Sequence, residues 1–152
     1  MKRIYFQTEE IKTVKKKGYV EVDDSYTQVY DCLFKLAFKM KSIVETQLLF
    51  YFCSKATEQG VFNTDDKSYK EFVKHAEING GTSISKVTYF SAIKNLSENK
   101  IIVKLTKGQY QLNPMLLWKS TSSERIEHIE EIMSISDKKE KDKYTLNKNL
   151  LY

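Results

Sequence analysis

The chain has 152 residues, 41% of them apolar, with ten Tyr and eight Phe, which is enough to bury a core and excludes global disorder. One Pro, five Gly and two Cys exclude fibrous, loop-rich and disulfide-framework classes, and the cysteines are too few and too far apart for a zinc site. The net charge is +5 and unevenly placed: residues 1–18 carry +4, 19–81 carry −3, 82–107 carry +4, 108–133 carry −2 and the rest +2, which suits a polyanion contacted locally from one side.

Cys32 and Cys53 stand in apolar helical contexts and read as buried thiols of a reducing cytoplasm. The Met1-Lys2-Arg3 start is not followed by an apolar run, and the longest such run, Leu48 to Cys53, is far shorter than a membrane span. A cytoplasmic location without a signal peptide or membrane partner is therefore expected.

In chain order, Ile11-Lys12-Thr13-Val14 and Tyr19-Val20-Glu21-Val22 predict a β-hairpin with Lys15-Lys16-Lys17-Gly18 as its turn. Val29, Leu33, Leu36, Ala37 and Met40 then follow helical spacing, which predicts a helix over 26–40. Ser42 and Glu45 fit a capping box opening a helix over 43–56 that is apolar on most faces and should lie at the centre of the fold, ended by Gly60. Val61-Phe62-Asn63 can pair as a third strand. Asp65 or Asp66 can cap the next helix, where Tyr69, Phe72, Val73 and Ala76 share one face and Lys67, Lys70, Glu71 and Lys74 the other.

Asn79-Gly80-Gly81 breaks that helix, and another begins almost at once. With Ser85 as N-cap, Ile84 and Tyr89 form a hydrophobic staple, Tyr89, Ala92, Ile93 and Leu96 face inward, and Asn99 closes the helix. Ile101, Val103 and Leu105 alternate with polar residues, Thr106-Lys107-Gly108-Gln109 turns, and Tyr110 and Leu112 return until Asn113-Pro114. After a Ser/Thr-rich joint, Thr121 and Glu124 suggest another capping box, and Ile126, Ile129, Ile132 and Met133 form a stripe. The Lys-rich tail 134–152 reads as mobile, with Leu150-Leu151-Tyr152 able to dock.

The order helix, strand, helix, tight Gly turn, helix, hairpin is that of a winged helix-turn-helix, in an α+β, mainly α, fold. The expected organisation is an N-terminal hairpin and helix extension (1–41), the winged helix (42–119), and a C-terminal helix with a basic tail (120–152). The second helix of such a unit enters the major groove, which admits one helix with a short polar outer face. Here the outward positions are Ser85, Lys86, Val87, Thr88, Phe90, Ser91 and Lys94. Lys86 and Lys94 reach phosphate or guanine acceptors, and Ser85, Thr88 and Ser91 bond phosphates or base edges. Val87 and Phe90 suit thymine methyls, although Phe90 reads equally as core. Lys104 and Lys107 on the hairpin suit non-specific phosphate contacts.

The run Ile84-Ser85-Lys86-Val87-Thr88-Tyr89-Phe90-Ser91-Ala92-Ile93-Lys94-Asn95-Leu96 resembles the recognition helix of the RepL-type plasmid replication proteins. In that family a Gly-Ile-Ser start leads to a Leu-ended helix, a basic hairpin and a Tyr-x-x-Asn-Pro close, matched here by Tyr110-Gln111-Leu112-Asn113-Pro114. Tyr26-Thr27-Gln28-Val29-Tyr30 is similar to the family's aromatic-x-x-Val-Tyr lead-in to its first helix. The resemblance spans roughly residues 20–118 and departs at Thr82-Ser83 and at Met115-Leu116-Leu117-Trp118-Lys119. It implies sequence-specific double-stranded DNA binding at a replication or maintenance locus of a plasmid or mobile element, with transcriptional regulation equally open to the sequence.

Enzymatic readings find little support. His75 and His128 are far apart on separate predicted helices, and Asp23-Asp24 and Asp65-Asp66 read as turns and caps. No phosphate loop, nucleophile elbow or metal spacing is present, so no enzyme activity, cofactor, metal or small-molecule substrate is expected. The alternative is a winged-helix protein-interaction module for dimerisation or docking, and a homodimer through the 121–133 helix is expected as a possible partner arrangement.

Overall fold

The computed structural model describes residues 2–9, 15–22 and 25–147. In chain order the elements are β1 (Lys2–Glu9), β2 (Lys15–Val22), β3 (Gln28–Val29), α1 (Cys32–Leu36) running into a 3-10 turn (Ala37–Lys39), α2 (Ile43–Lys55), β4 (Val61–Asn63), α3 (Asp66–Ile78), α4 (Lys86–Glu98), β5 (Ile102–Thr106), β6 (Gln109–Leu112), β7 (Leu117–Trp118), α5 (Ser122–Met133) and α6 (Lys138–Asp142). Helices dominate and the sheets are small and antiparallel: β1–β2, β3–β7, and the three-stranded β4–β6–β5. The order of α2 through β6 is winged-helix-like, as expected from the sequence.

Helix α2 forms the centre. Glu45 closes its capping box with Ser42 and accepts hydrogen bonds from the Lys41 and Ser42 amides, which satisfies amides that a helix start leaves open. Leu48, Leu49, Phe52 and Cys53 are buried. Phe52 stacks on Phe62 of β4 at 4.3 Å and meets the edge of Tyr89 on α4 at 6.3 Å. Burial of each such side chain stabilises by about 1.5–3 kcal/mol, so α2 acts as the post against which strand and helix are set. Its burial is not complete: Ile43 and Phe50 face solvent.

Several sequence expectations are corrected. The N-terminal hairpin exists, but its strands are 2–9 and 15–22 in the register Lys2↔Val22 to Glu9↔Lys15, so Lys15 to Gly18 are strand rather than turn. The β-prone Ile4-Tyr5-Phe6 run supplies the first strand, and the proposed strand 11–14 lies outside the described residues. The helix expected over 26–40 is cut to Cys32–Leu36 and one 3-10 turn, because Gln28 and Val29 pair instead with Trp118 and Leu117. Helix α2 ends at Lys55 with Ala56 as C-cap. Gly60, at φ 78°, serves the turn into β4 rather than the helix end. Asn99 does cap α4, but the left-handed residue is Lys100, at φ 59°.

The tail is also corrected. Through Asn147 it packs against the sheet, with α6 formed and Tyr144 and Leu146 buried after it. The last three residues, expected to dock, lie outside the described residues. What holds the tail is polar as well as apolar. Asn113, fully buried at the end of β6, donates to the carbonyls of Lys100 (2.8 Å) and Tyr144 (3.1 Å) and accepts from the Met115 amide (3.0 Å). Gln111 donates to the Gln59 carbonyl and receives the Tyr144 hydroxyl hydrogen bond at 3.1 Å. Removing one partner of a buried set leaves the others without a replacement from water. Asn113→Ala should therefore lower the unfolding free energy by about 2–3 kcal/mol in urea titration; an unchanged midpoint would mean the tail is not latched there.

Candidate nucleic-acid interface

The unit that carries the candidate site is α3, its turn and α4. Asp65 caps α3, its carboxylate accepting from the Ser68 amide at 2.9 Å and from the Ser68 hydroxyl. Those two hydrogen bonds hold the Asp65 carboxyl below its ordinary range. The helix ends at Ile78, and Gly80 takes φ 75°, a conformation side chains resist. At Gly81 the amide bonds the Ala76 carbonyl at 2.7 Å, and an added Cβ would come within 3.1 Å of that oxygen. The turn is therefore tight for a steric reason.

The start of α4 is fixed from two sides. The Ser85 hydroxyl accepts from the Thr88 amide at 3.1 Å and lies 2.9 Å from the Thr88 hydroxyl. Half-buried Ile84 packs on the core, and its carbonyl accepts from the Tyr69 hydroxyl at 2.8 Å. Tyr89, Ala92, Ile93 and Leu96 are all buried, as their spacing predicts. This face has a fixed orientation, so the opposite face does too.

That opposite face bears the residues nominated from sequence. Val87 is 80% exposed, and Ser91 and Lys94 are exposed beside it. Lys94 lies only 3.9 Å from Glu98 in a solvent-exposed pair, which screening makes weak. Phe90 is 37% exposed and meets the Tyr89 ring edge-on at 5.1 Å. It thus leans on the core from outside, at the flank of the helix. Ser85 and Thr88 are exposed but engaged with each other as the cap. Lys86 is turned aside: its Nζ sits 2.7 Å from the Asp66 carboxylate at the start of α3.

Between α4 and the β5–β6 hairpin runs an open groove of about 690 Å³, where Phe90 faces Lys104, Lys107 and Tyr110. Its third wall is the start of α3, with Asp65, Asp66 and Lys67. The structure therefore gathers Phe90, Lys104 and Lys107 about one groove and sets Val87, Ser91 and Lys94 on the ridge beside it. Lys67 and the two aspartates were not nominated as site residues. Their sequence signals, a capping position for the aspartates and the outer helix face for Lys67, say nothing of what lies across the groove. Leu105 is partly exposed because the β5–β6 register shifts between Lys104 and Thr106.

The remaining chemistry-bearing side chains are dispersed. His75 packs beside Tyr51 at 5.3 Å, whereas His128 contacts Gln111 (3.0 Å) and Glu131 (3.3 Å). Burial pushes the Cys53 thiol up to about 11, against the influence of Lys119, so it is poorly nucleophilic. Cys32 is half-buried. Among the described residues, no group of three or more His, Cys, Asp or Glu is placed to hold a metal, and no helix is long and apolar enough to cross a membrane.

A family model described as Firmicute plasmid replication protein (RepL) matches residues 2–150. Neither the curated proteins nor the solved structures give a match. The geometry of α4 yields a direct expectation. Ser85→Ala should cost about 1 kcal/mol of stability in chemical denaturation, the usual loss of an N-cap, and a variant as stable as the parent would show that α4 does not depend on this cap.

Proposed function

The chain belongs to the family of Firmicute plasmid replication proteins (RepL), and on that premise we propose that it works in the cytoplasm by binding a specific double-stranded DNA site with α4. The observation that carries this reading is the outer face of α4. It is an exposed ridge of Val87, Ser91 and Lys94 on a helix whose other face is locked into the core. A ridge one helix wide fits the major groove, where base edges present distinct donors, acceptors and thymine methyls. Lys94 suits guanine or phosphate, Ser91 a base edge, and Val87 a methyl group.

The β5–β6 hairpin acts as the wing. Lys104 and Lys107 contribute phosphate contacts, which set register and affinity but carry no sequence information. Ser85 and Thr88, already engaged as the cap, contact the backbone at the helix start. Phe90 shields the floor of the groove rather than reading a base. The carboxylates of Asp65 and Asp66 along the same groove repel phosphate, so the duplex must seat on the ridge and the hairpin tip. That arrangement favours selective over general affinity for nucleic acid. No catalytic step or cofactor is assigned to the chain. Membership in a plasmid replication family supports a plasmid replication locus as the place of binding, and effects on transcription would be secondary to occupancy of that site.

In a mobility shift across a salt series, Lys104→Ala with Lys107→Ala should weaken binding and reduce the slope of log affinity against log salt by about 2, roughly one unit for each phosphate no longer neutralised. Lys94→Ala should cost about 1–3 kcal/mol if it pairs with guanine. Lys86→Ala should cost less, because Asp66 already holds that ammonium. Duplex binding unchanged by Lys94→Ala, Lys104→Ala and Lys107→Ala together would contradict the proposal.

A further inference from the structure

Two exposed faces outside α4 carry apolar side chains, one beside lysines and the other beside glutamates. Helix α1 gives Leu33 and Leu36 to the core, while Phe34, Phe38 and Ile43 on and just after it face solvent, Phe38 at 93% exposure. Exposed Lys39 and Lys41 lie among them, and the one acid between residues 31 and 43 is Asp31 at the helix start. Helix α5 turns Ile132 inward and leaves Ile126, at 55%, and Met133 exposed. Glu130 stands four residues after Ile126 and three before Met133, the spacings that make neighbours on a helix, and Glu127 lies three residues before Glu130. Clustered exposed apolar side chains of this size mark contact surfaces more often than single ones do.

We infer that two copies of this chain associate with α1 of one protomer against α5 of the other, and that the reciprocal contact completes a twofold dimer. Self-pairing of α5, the arrangement expected from its isoleucine stripe, would bring the Glu127 and Glu130 carboxylates of both copies to one interface. Self-pairing of α1 would do the same with Lys39 and Lys41. Like charges facing each other across an interface are unfavourable, and opposite charges fix partner and register. Only the α1–α5 pairing covers both apolar spines and gives the flanking charges opposite partners. The two faces are also neighbours at their N-terminal ends. The Arg125 guanidinium lies 3.5 Å over the ring of Tyr30, just before α1, and donates to the Pro114 carbonyl at 2.7 Å. Faces so joined can both be engaged by one twofold operation, which closes the assembly instead of propagating it.

The dimer does not depend on DNA binding and is tested without DNA, by sedimentation equilibrium of the full chain over a range of concentrations. The expected result is a reversible dimer that weakens as salt rises. Phe38→Ser, at a side chain almost wholly in solvent, should weaken association by about tenfold or more, as should Lys39→Glu with Lys41→Glu, or Glu127→Lys with Glu130→Lys. Each variant should keep the circular dichroism and melting behaviour of the parent. An equimolar mixture of the two charge-reversed variants should recover the dimer, because both contacts are then again between opposite charges. A parent that stays monomeric at every concentration would overturn the inference. So would a dimer insensitive to these substitutions, or folded charge-reversed variants that fail to recover association when mixed.

Discussion

The structure depends above all on the burial of one face of α4 against α2. Tyr89 sits at the junction, wholly buried, with its ring meeting Phe52 at 6.3 Å, Phe72 at 5.9 Å and Tyr69 at 5.3 Å. Aromatic contacts of this kind add about 0.5–1.5 kcal/mol each beyond the area they bury. They also set the rotation of α4 about its axis. Helical geometry then decides which residues point outward, and any role for the outer ridge follows from a packing choice made on the other side of the helix.

The supporting elements extend that constraint. The tight turn at Gly80 and Gly81 and the Ser85 cap fix where α4 begins. Pairing of β4 with β6, and of β6 with β5, fixes where the hairpin leaves the body. Asn113 and Gln111 tie the inner strand of that hairpin to the C-terminal segment. The hairpin is thereby held to the C-terminal segment on one side and shares the groove of Phe90 with the helical pair on the other. The electrostatics follow the same division. Lys94 projects on the ridge and Lys104 and Lys107 on the hairpin, while Asp65 and Asp66 line the groove between them.

Much of this was legible in the sequence where the signal is local. The 3.6-residue stripe of Tyr89, Ala92, Ile93 and Leu96, the caps at Ser42, Asp65, Ser85 and Thr121, and the turn at Lys107-Gly108 depend on neighbours a few residues away. Apart from the register of the N-terminal hairpin and the exact helix ends, the failures are non-local. Gln28 and Val29 leave a helical pattern because Leu117 and Trp118, far along the chain, offer them a strand partner. Tyr144 and Leu146 are two apolar residues in a Lys-rich stretch, and nothing nearby shows that Asn113 and Gln111 await them. The Lys86–Asp66 pair joins two helices whose approach no spacing rule encodes. Phe90 was ambiguous for a similar reason, since its flank position is set by how α4 rolls on Tyr89.

The central claim is that the outer ridge of α4 reads base sequence while the hairpin holds phosphate. It is tested most directly by selecting bound duplexes from a random pool with the parent chain and with single variants. The account predicts that Val87→Ser and Ser91→Ala each shift the selected consensus at one or two adjacent base pairs. Lys107→Ala should leave the consensus intact and lower affinity uniformly. An identical consensus from the parent, Val87→Ser and Ser91→Ala, or no consensus from any of them, would contradict it.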